Sequence, residues 1–205
     1  MTRIITIERE YGSGAPEIAA ELTARLGWKL WDQALIGEVA RQAHCEQSAV
    51  ENREERLDPL YYRLLKSFAL GGYEGNSGAA PVEMLDTESI FRISRAVIEQ
   101  VASEGNCVIV GRGSQHFLRD RDDTLRFFLY ASREKKVRRL VSQGAKQSEA
   151  RSLVETVDQE RAAFVKRYFH LEWPNRALYH AMINTDIGDE KVIRAMMSFI
   201  EQLPQ

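Results

Sequence analysis

The stretch Ile4-Ile5-Thr6-Ile7-Glu8-Arg9-Glu10-Tyr11-Gly12-Ser13-Gly14-Ala15-Pro16 decides the fold. Its first four residues are apolar or β-branched and do not alternate with polar ones. Such a run suits a strand buried on both faces. The Gly12-Ser13-Gly14 turn follows, and Pro16 suits the first turn of a helix, where its missing N–H costs nothing. Ile18, Leu22 and Leu26 then recur at four-residue spacing, and Gly27 supplies a C-terminal stop. A buried strand, a glycine turn and an amphipathic helix, in that order, open a parallel α/β sheet.

The rest of the chain continues the alternation. Trp28–Trp31 reads as a short second strand ended by Asp32. Residues 33–86 read as an insert, helical over Leu35–Ala43 and Pro59–Leu70, with a glycine-rich loop at Gly71–Gly78. Asp86 suits the cap of a helix whose apolar face is Ile90, Ile93, Val97 and Val101, and Gly105 ends it. Cys107–Val110 is a third strand, followed at once by Gly111-Arg112-Gly113, and Leu125–Tyr130 is a fourth. Ser132 opens a basic helix through Val141, and a long helix runs from Ser148 to about Tyr168. Ala181–Asn184 is the last strand and Asp189–Leu203 the last helix. Five strands alternating with helices predict a single α/β domain. It is a three-layer sandwich with a five-stranded parallel sheet and helices on both faces.

Composition narrows the function classes. A chain of 205 residues suits one domain. With 44% hydrophobic and 28% charged residues it is neither disordered, collagen-like nor a coiled-coil rod. The net charge, 28 − 30 = −2, argues against a nucleic-acid binder. Two cysteines, Cys45 and Cys107, make neither a disulfide framework nor a four-ligand zinc site. The apolar run at Ile4–Ile7 is too short for a signal-peptide core, and no run approaches the roughly 18 residues of a membrane span. These features predict a soluble cytoplasmic protein that does not bind membranes.

In parallel sheets, ligands bind beyond the carboxyl ends of the strands. Gly12, Ser13 and Gly14 stand there, where inward-facing N–H groups and a helix N-terminus suit phosphate. The same residues also suit a plain tight turn. Set against the phosphate-loop pattern G-x-x-x-x-G-K-[ST], Gly14 is the second glycine and Arg9 stands at the first. Ala15 replaces the lysine and Pro16 the hydroxyl residue. Arg112 ends the third strand between two glycines and suits bidentate pairing with phosphate or carboxylate. The basic helix carries Arg133, Lys135, Lys136, Arg138 and Arg139, with Lys146 beyond it. Its simplest reading is a solvated face. Asp158 and Arg161, three apart on the next helix, suit either a surface ion pair or a lid that closes over phosphates. Asp32 suits a helix cap or a contact to a sugar or base.

Together these residues resemble the cytidylate kinase-like family, a branch of the P-loop nucleoside monophosphate kinases. The resemblance rests on Ile5–Gly14, Leu30-Trp31-Asp32, Val108–Gly113, Phe128–Ala131 leading into Arg138-Arg139, Val157–Ala162 and Tyr179–Thr185. It covers nearly the whole chain and implies a P-loop kinase-type sandwich. The implied additions are a helical acceptor-binding insert at about 33–86 and a mobile lid at about 138–170. It also implies ATP with Mg²⁺ as phosphoryl donor and CMP or dCMP as acceptor. Gly12, Ser13 and Gly14 would cradle the donor phosphates, with Asn184 and Thr185 beside the adenine. Asp32, Arg112, Asp158 and Arg161 would hold the acceptor. Arg138 and Arg139 would meet the transferring group.

The departures set the question. Phosphoryl transfer needs cationic stabilisation, and one arginine can contribute roughly 10³–10⁵ in rate. Arg9 is a candidate to fold back over the phosphates in place of the lysine. Glu8, Glu10 and Glu17 are candidate contacts to Mg²⁺, and nothing in the sequence selects among them. An active kinase explains the arginines at three separate strand-end or lid positions. A nucleotide-binding regulator that kept the fold and lost turnover explains Ala15-Pro16.

Overall fold

The computed structural model describes residues 3–32, 34, 35, 38 and 87–202. The strands are β1 (Ile4–Arg9), β2 (Lys29–Trp31), β3 (Cys107–Val110), β4 (Thr124–Tyr130) and β5 (Ala181–Asn184). The helices are α1 (Ala15–Leu26), α2 (Thr87–Glu104), α3 (Ser114–Phe117), α4 (Arg133–Ser142), α5 (Gln147–Phe169) and α6 (Asp189–Gln202). Single 3₁₀ turns at Arg176–Leu178 and Thr185–Ile187 flank β5. The expected insert lies outside the described residues, apart from helical Ala34, Leu35 and Glu38.

All strand pairs are parallel, in the order β2-β3-β1-β4-β5. The chain therefore leaves β1 for the sheet edge and returns so that β3 lies beside β1. Alternate residues of the buried strands serve opposite faces. Ile5, Ile7, Val108, Val110, Phe127 and Leu129 pack against Ile18 and Leu22 of α1 and Val192, Ile193 and Met196 of α6. Ile4, Cys107 and Ile109 pack against Val97, Ile98 and Val101 of α2. Both layers bury the sheet, which is why the strands read as continuous apolar runs rather than alternating ones.

The ends of α1 follow from local chemistry. Gly14 at its start and Gly27 at its end both adopt left-handed backbone, at φ 86° and 65°. Gly27 closes the helix by donating its N–H to the Ala24 carbonyl at 3.3 Å. Ser132 stands at the start of α4 as expected, yet its side chain makes no cap bond. Among the described residues no helix is long and apolar enough to cross a membrane.

Candidate active site

Two loops meet at the carboxyl ends of β1 and β3. The first runs from Glu10 to Gly14. Gly12 and Gly14 have φ of 77° and 86°, and the Ser13 N–H closes the turn on the Glu10 carbonyl at 3.3 Å. Buried Thr185 anchors this loop from the end of β5, its hydroxyl donating to the Ser13 carbonyl at 2.8 Å. Asn184 caps the next turn by accepting the Asp186 N–H at 2.9 Å. Both side chains expected beside an adenine thus make protein contacts at the edge of the loop.

Two cations of α4 lie on this loop. A Cβ placed on Gly14 would fall 1.0 Å from Arg139 Nη1, so the guanidinium covers the start of α1. Arg139 is held there by Asp189, at 2.7 Å. One turn earlier, the Cβ and carbonyl oxygen of Lys136 lie 3.2 Å from the Cβ position of Gly12. Lys136 is buried, and its Nζ pairs with Glu10 at 2.9 Å and Asp158 at 3.4 Å. Neighbouring Arg138 is exposed. Helical period explains the selection. Lys136, Val137 and Leu140 form the buried stripe of α4, which places 136 and 139 together at the loop and turns 138 outward.

The second loop is Gly111-Arg112-Gly113. All three residues are left-handed, at φ 67°, 61° and 73°. For Arg112 this costs about 1–2 kcal/mol. The strain aims a buried guanidinium at the end of β1, where it gathers with Arg9 and Arg161. The Arg9 guanidinium lies against Gly111, 1.7 Å from that residue's Cβ position, and so on the β3 side rather than over Gly12–Gly14. Arg161, reaching in from α5, donates to the Arg9 carbonyl at 2.9 Å and to Asp158 at 3.1 Å. Burial, then the Arg9 charge, lowers Arg112 to a pKa of about 9 and Arg161 to about 10. Both remain cationic at neutral pH. The Asp32 charge opposes the drop at Arg112, placing that carboxylate on the same side of the site. Glu8, also buried, accepts from the side chain of Gln115. Glu17 accepts from Gln143 at 2.9 Å.

The cavity between these groups is lined by Glu8, Arg9, Arg112, Arg161, Phe164 and Trp173 and measures about 20 Å³. That is room for about one water. Helix α5 therefore packs directly against this cluster. Its docking is aromatic as well as ionic. Phe169 stacks on His116 at 4.0 Å between centroids, and Phe91 stacks on Tyr168 at 4.9 Å.

Both loops concentrate positive charge at the strand ends. One offers left-handed glycines, a helix N-terminus and Arg139; the other offers three guanidiniums. The sequence matches the profile of the cytidylate kinase-like family over residues 4–187. The chain belongs to that family. As a cytidylate kinase-like protein it shares its fold with solved structures that lie below 20% identity. An uncharacterized protein from Eubacterium ventriosum superposes with TM-score 0.70 at 18% identity, covering 98% of this chain and 100% of the other. Shikimate kinase from Bacteroides thetaiotaomicron gives TM-score 0.56 at 15% identity, covering 98% and 99%. Shikimate kinase from Acinetobacter baumannii, solved with shikimate, gives 0.52 at 17%, covering 100% and 97%. No curated protein matches the chain. The family and the fold make this a kinase-like nucleotide-binding protein.

Of the residues expected from sequence, Gly12, Ser13, Gly14 and Arg139 come together at the first loop. Arg9, Arg112, Asp158 and Arg161 come together at the second, with Asp32 beside them. Lys136 stood in the basic helix without a role, and its place at Gly12 is the main addition. The signal was present: residues 136 and 140 share a helix face, and 140 is leucine. For Mg²⁺ the residues fit poorly. Pro16 offers no oxygen at the hydroxyl position, and the described residues contain no cluster of three His, Cys, Asp or Glu side chains.

Proposed function

We propose that the protein transfers the γ-phosphoryl group of ATP to a nucleoside monophosphate, with CMP or dCMP as acceptor. The observation that carries this reading is the adjacency of two separate cationic sites. The Gly12–Gly14 loop with Arg139 receives the donor phosphates. Arg112 and Arg161, with Arg9 and Asp158, receive the acceptor phosphate. An acceptor oxygen bonds to the γ-phosphorus as the bond to the β-phosphate breaks, and ADP leaves. Bringing two polyanions together is the main cost of this reaction, and fixed guanidiniums offset it without reorganising during transfer. The closed cavity is too small for a phosphate, so α5 moves outward to admit the acceptor, and its return excludes water and favours transfer over hydrolysis.

The cytidine preference follows the family resemblance, with Asp32 as a contact to the acceptor and Asn184 and Thr185 at the edge of the donor site. Arg138 then belongs to the lid rather than to the closed site. Any Mg²⁺ would be carried by the triphosphate itself. The acceptor-binding insert at 33–86, the lid at 138–170 and a cytoplasmic location complete the proposal.

A second reading, a nucleotide-binding regulator without turnover, is favoured by Ala15-Pro16 at the lysine and hydroxyl positions. Substitution separates the two. In a kinase, Arg112→Ala and Arg161→Ala each lower kcat/KM by about 10³ while the protein stays folded. In a regulator the same changes weaken nucleotide affinity with no turnover to lose. Wild-type rates in both variants would refute the site assignment.

A further inference from the structure

We propose that Lys136 is the phosphate-binding cation of the Gly12–Gly14 loop, taking the place of the lysine that Ala15 lacks. The proposal rests on the reading that this loop binds a triphosphate, and it names which residue completes it.

The loop keeps its shape without its own cation. Its glycines are left-handed, its turn is closed by a backbone bond, and α1 begins directly after Gly14. Ala15 is fully buried and ends at its methyl, so position 15 supplies no cation of its own. Arg9, the other basic residue of this segment, lies against Gly111. Lys136 instead enters from α4, and its Cβ and carbonyl lie in contact distance of Gly12. Its stem therefore starts at the loop, and a four-carbon chain lets the ammonium sweep the loop's open side.

The present partners of the ammonium support this use. A buried lysine needs counter-charge. Lys136 takes it from Glu10, within the loop, and from Asp158, on the helix that closes over the site. The same Asp158 carboxylate accepts the loop's Tyr11 N–H at 2.8 Å. A carboxylate bonded at once to a loop N–H, to Lys136 and to Arg161 holds together groups that suit a phosphate. When a triphosphate arrives, the lysine exchanges a carboxylate for a phosphate oxygen. Lys136 and Arg139, three residues apart on one face of α4, then grip the anion from the same side.

Calorimetric titration with ATP and with inorganic tripolyphosphate tests this on the full chain. The proteins are wild type, Lys136→Met, Ala15→Lys and the double variant. Lys191→Met, an exposed change on α6, is the control. A charge-assisted contact corresponds to about tenfold to a hundredfold in affinity, so Lys136→Met weakens both probes by that factor. Ala15→Lys changes wild-type affinity little but restores most of the loss in Lys136→Met. That non-additivity distinguishes a displaced phosphate cation from a structural ion pair. If Lys136→Met fails to fold, Lys136→Gln carries the same comparison, because the amide still donates hydrogen bonds to the carboxylates but brings no charge. Unchanged affinity in the Lys136 variant overturns the proposal. So does an equal gain from Ala15→Lys in both backgrounds. A wild-type protein that binds neither probe overturns the triphosphate reading itself, and the proposal with it.

Discussion

The Asp158 carboxylate of α5 accepts the backbone N–H of Tyr11 at 2.8 Å, although the two residues are 147 positions apart. The long helix thus touches the glycine loop through its main chain. The same carboxylate also meets Lys136 and Arg161. One group therefore ties the loop, the basic helix and the guanidinium cluster together. Asp158→Asn leaves two buried cations short of counter-charge. It should lower stability by about 3 kcal/mol, read by urea unfolding at neutral pH. A loss below about 0.5 kcal/mol would show that the carboxylate is not the tie.

Gly14→Ala meets two obstacles. Position 14 sits at φ 86°, and the new methyl would fall on the Arg139 guanidinium. The backbone alone costs about 1–2 kcal/mol, and Arg139 must leave the loop. The variant should melt lower and lose ATP affinity together. Gly144→Ala, also left-handed but with nothing within 4 Å, should lose stability alone.

Thr185→Val removes the hydroxyl that holds the Ser13 carbonyl from inside the core. The shape is conserved and the acceptor is left unmatched, at a cost of about 1–3 kcal/mol. Thermal melting should show the loss, and ATP affinity should fall because the loop loses its anchor. Unchanged affinity would mean that the loop keeps its shape without it.

His116 is buried, with no hydrogen bond to either ring nitrogen, and stacks on Phe169. Burial lowers its pKa to about 4 from the ordinary 6.5. The folded protein therefore binds fewer protons there than the unfolded chain between these two values. Stability is complete above about pH 6.5, falls as pH drops toward 4, and levels off below it. The contribution at stake is on the order of 3 kcal/mol. His116→Phe should remove this part of the acid sensitivity, as measured by unfolding between pH 4 and 7. An identical pH profile in the variant would contradict the assignment.

The sheet was legible because its signals are local. Cys107–Val110 and Ala181–Asn184 were each read with the observed bounds, and Gly27 and Gly105 stop their helices as expected. Buried runs, glycine stops and four-residue spacing need no knowledge of distant contacts. Helix α3 was missed because Ser114–Phe117 is a single turn with no period to detect. The two glycine loops were read as ligand-facing, and the structure gives both left-handed backbones. What stayed hidden depends on strand order and on helix rotation. Arg9 lies at Gly111 because β3 inserts beside β1, a pairing between residues about a hundred positions apart. Lys136 rather than Lys135 or Arg138 meets Gly12 because Val137 and Leu140 fix the rotation of α4. A run of six basic residues does not by itself say which one is buried.

The most direct measurement is a turnover panel. Purified protein, shown to be folded by circular dichroism, is incubated with ATP, Mg²⁺ and each of CMP, dCMP, UMP, AMP and GMP. Diphosphate products are then resolved by chromatography. The proposed phosphoryl transfer gives CDP or dCDP in proportion to enzyme, with ADP in equal amount. No diphosphate from any acceptor in folded protein would contradict it and leave the nucleotide-binding regulator as the reading of this fold.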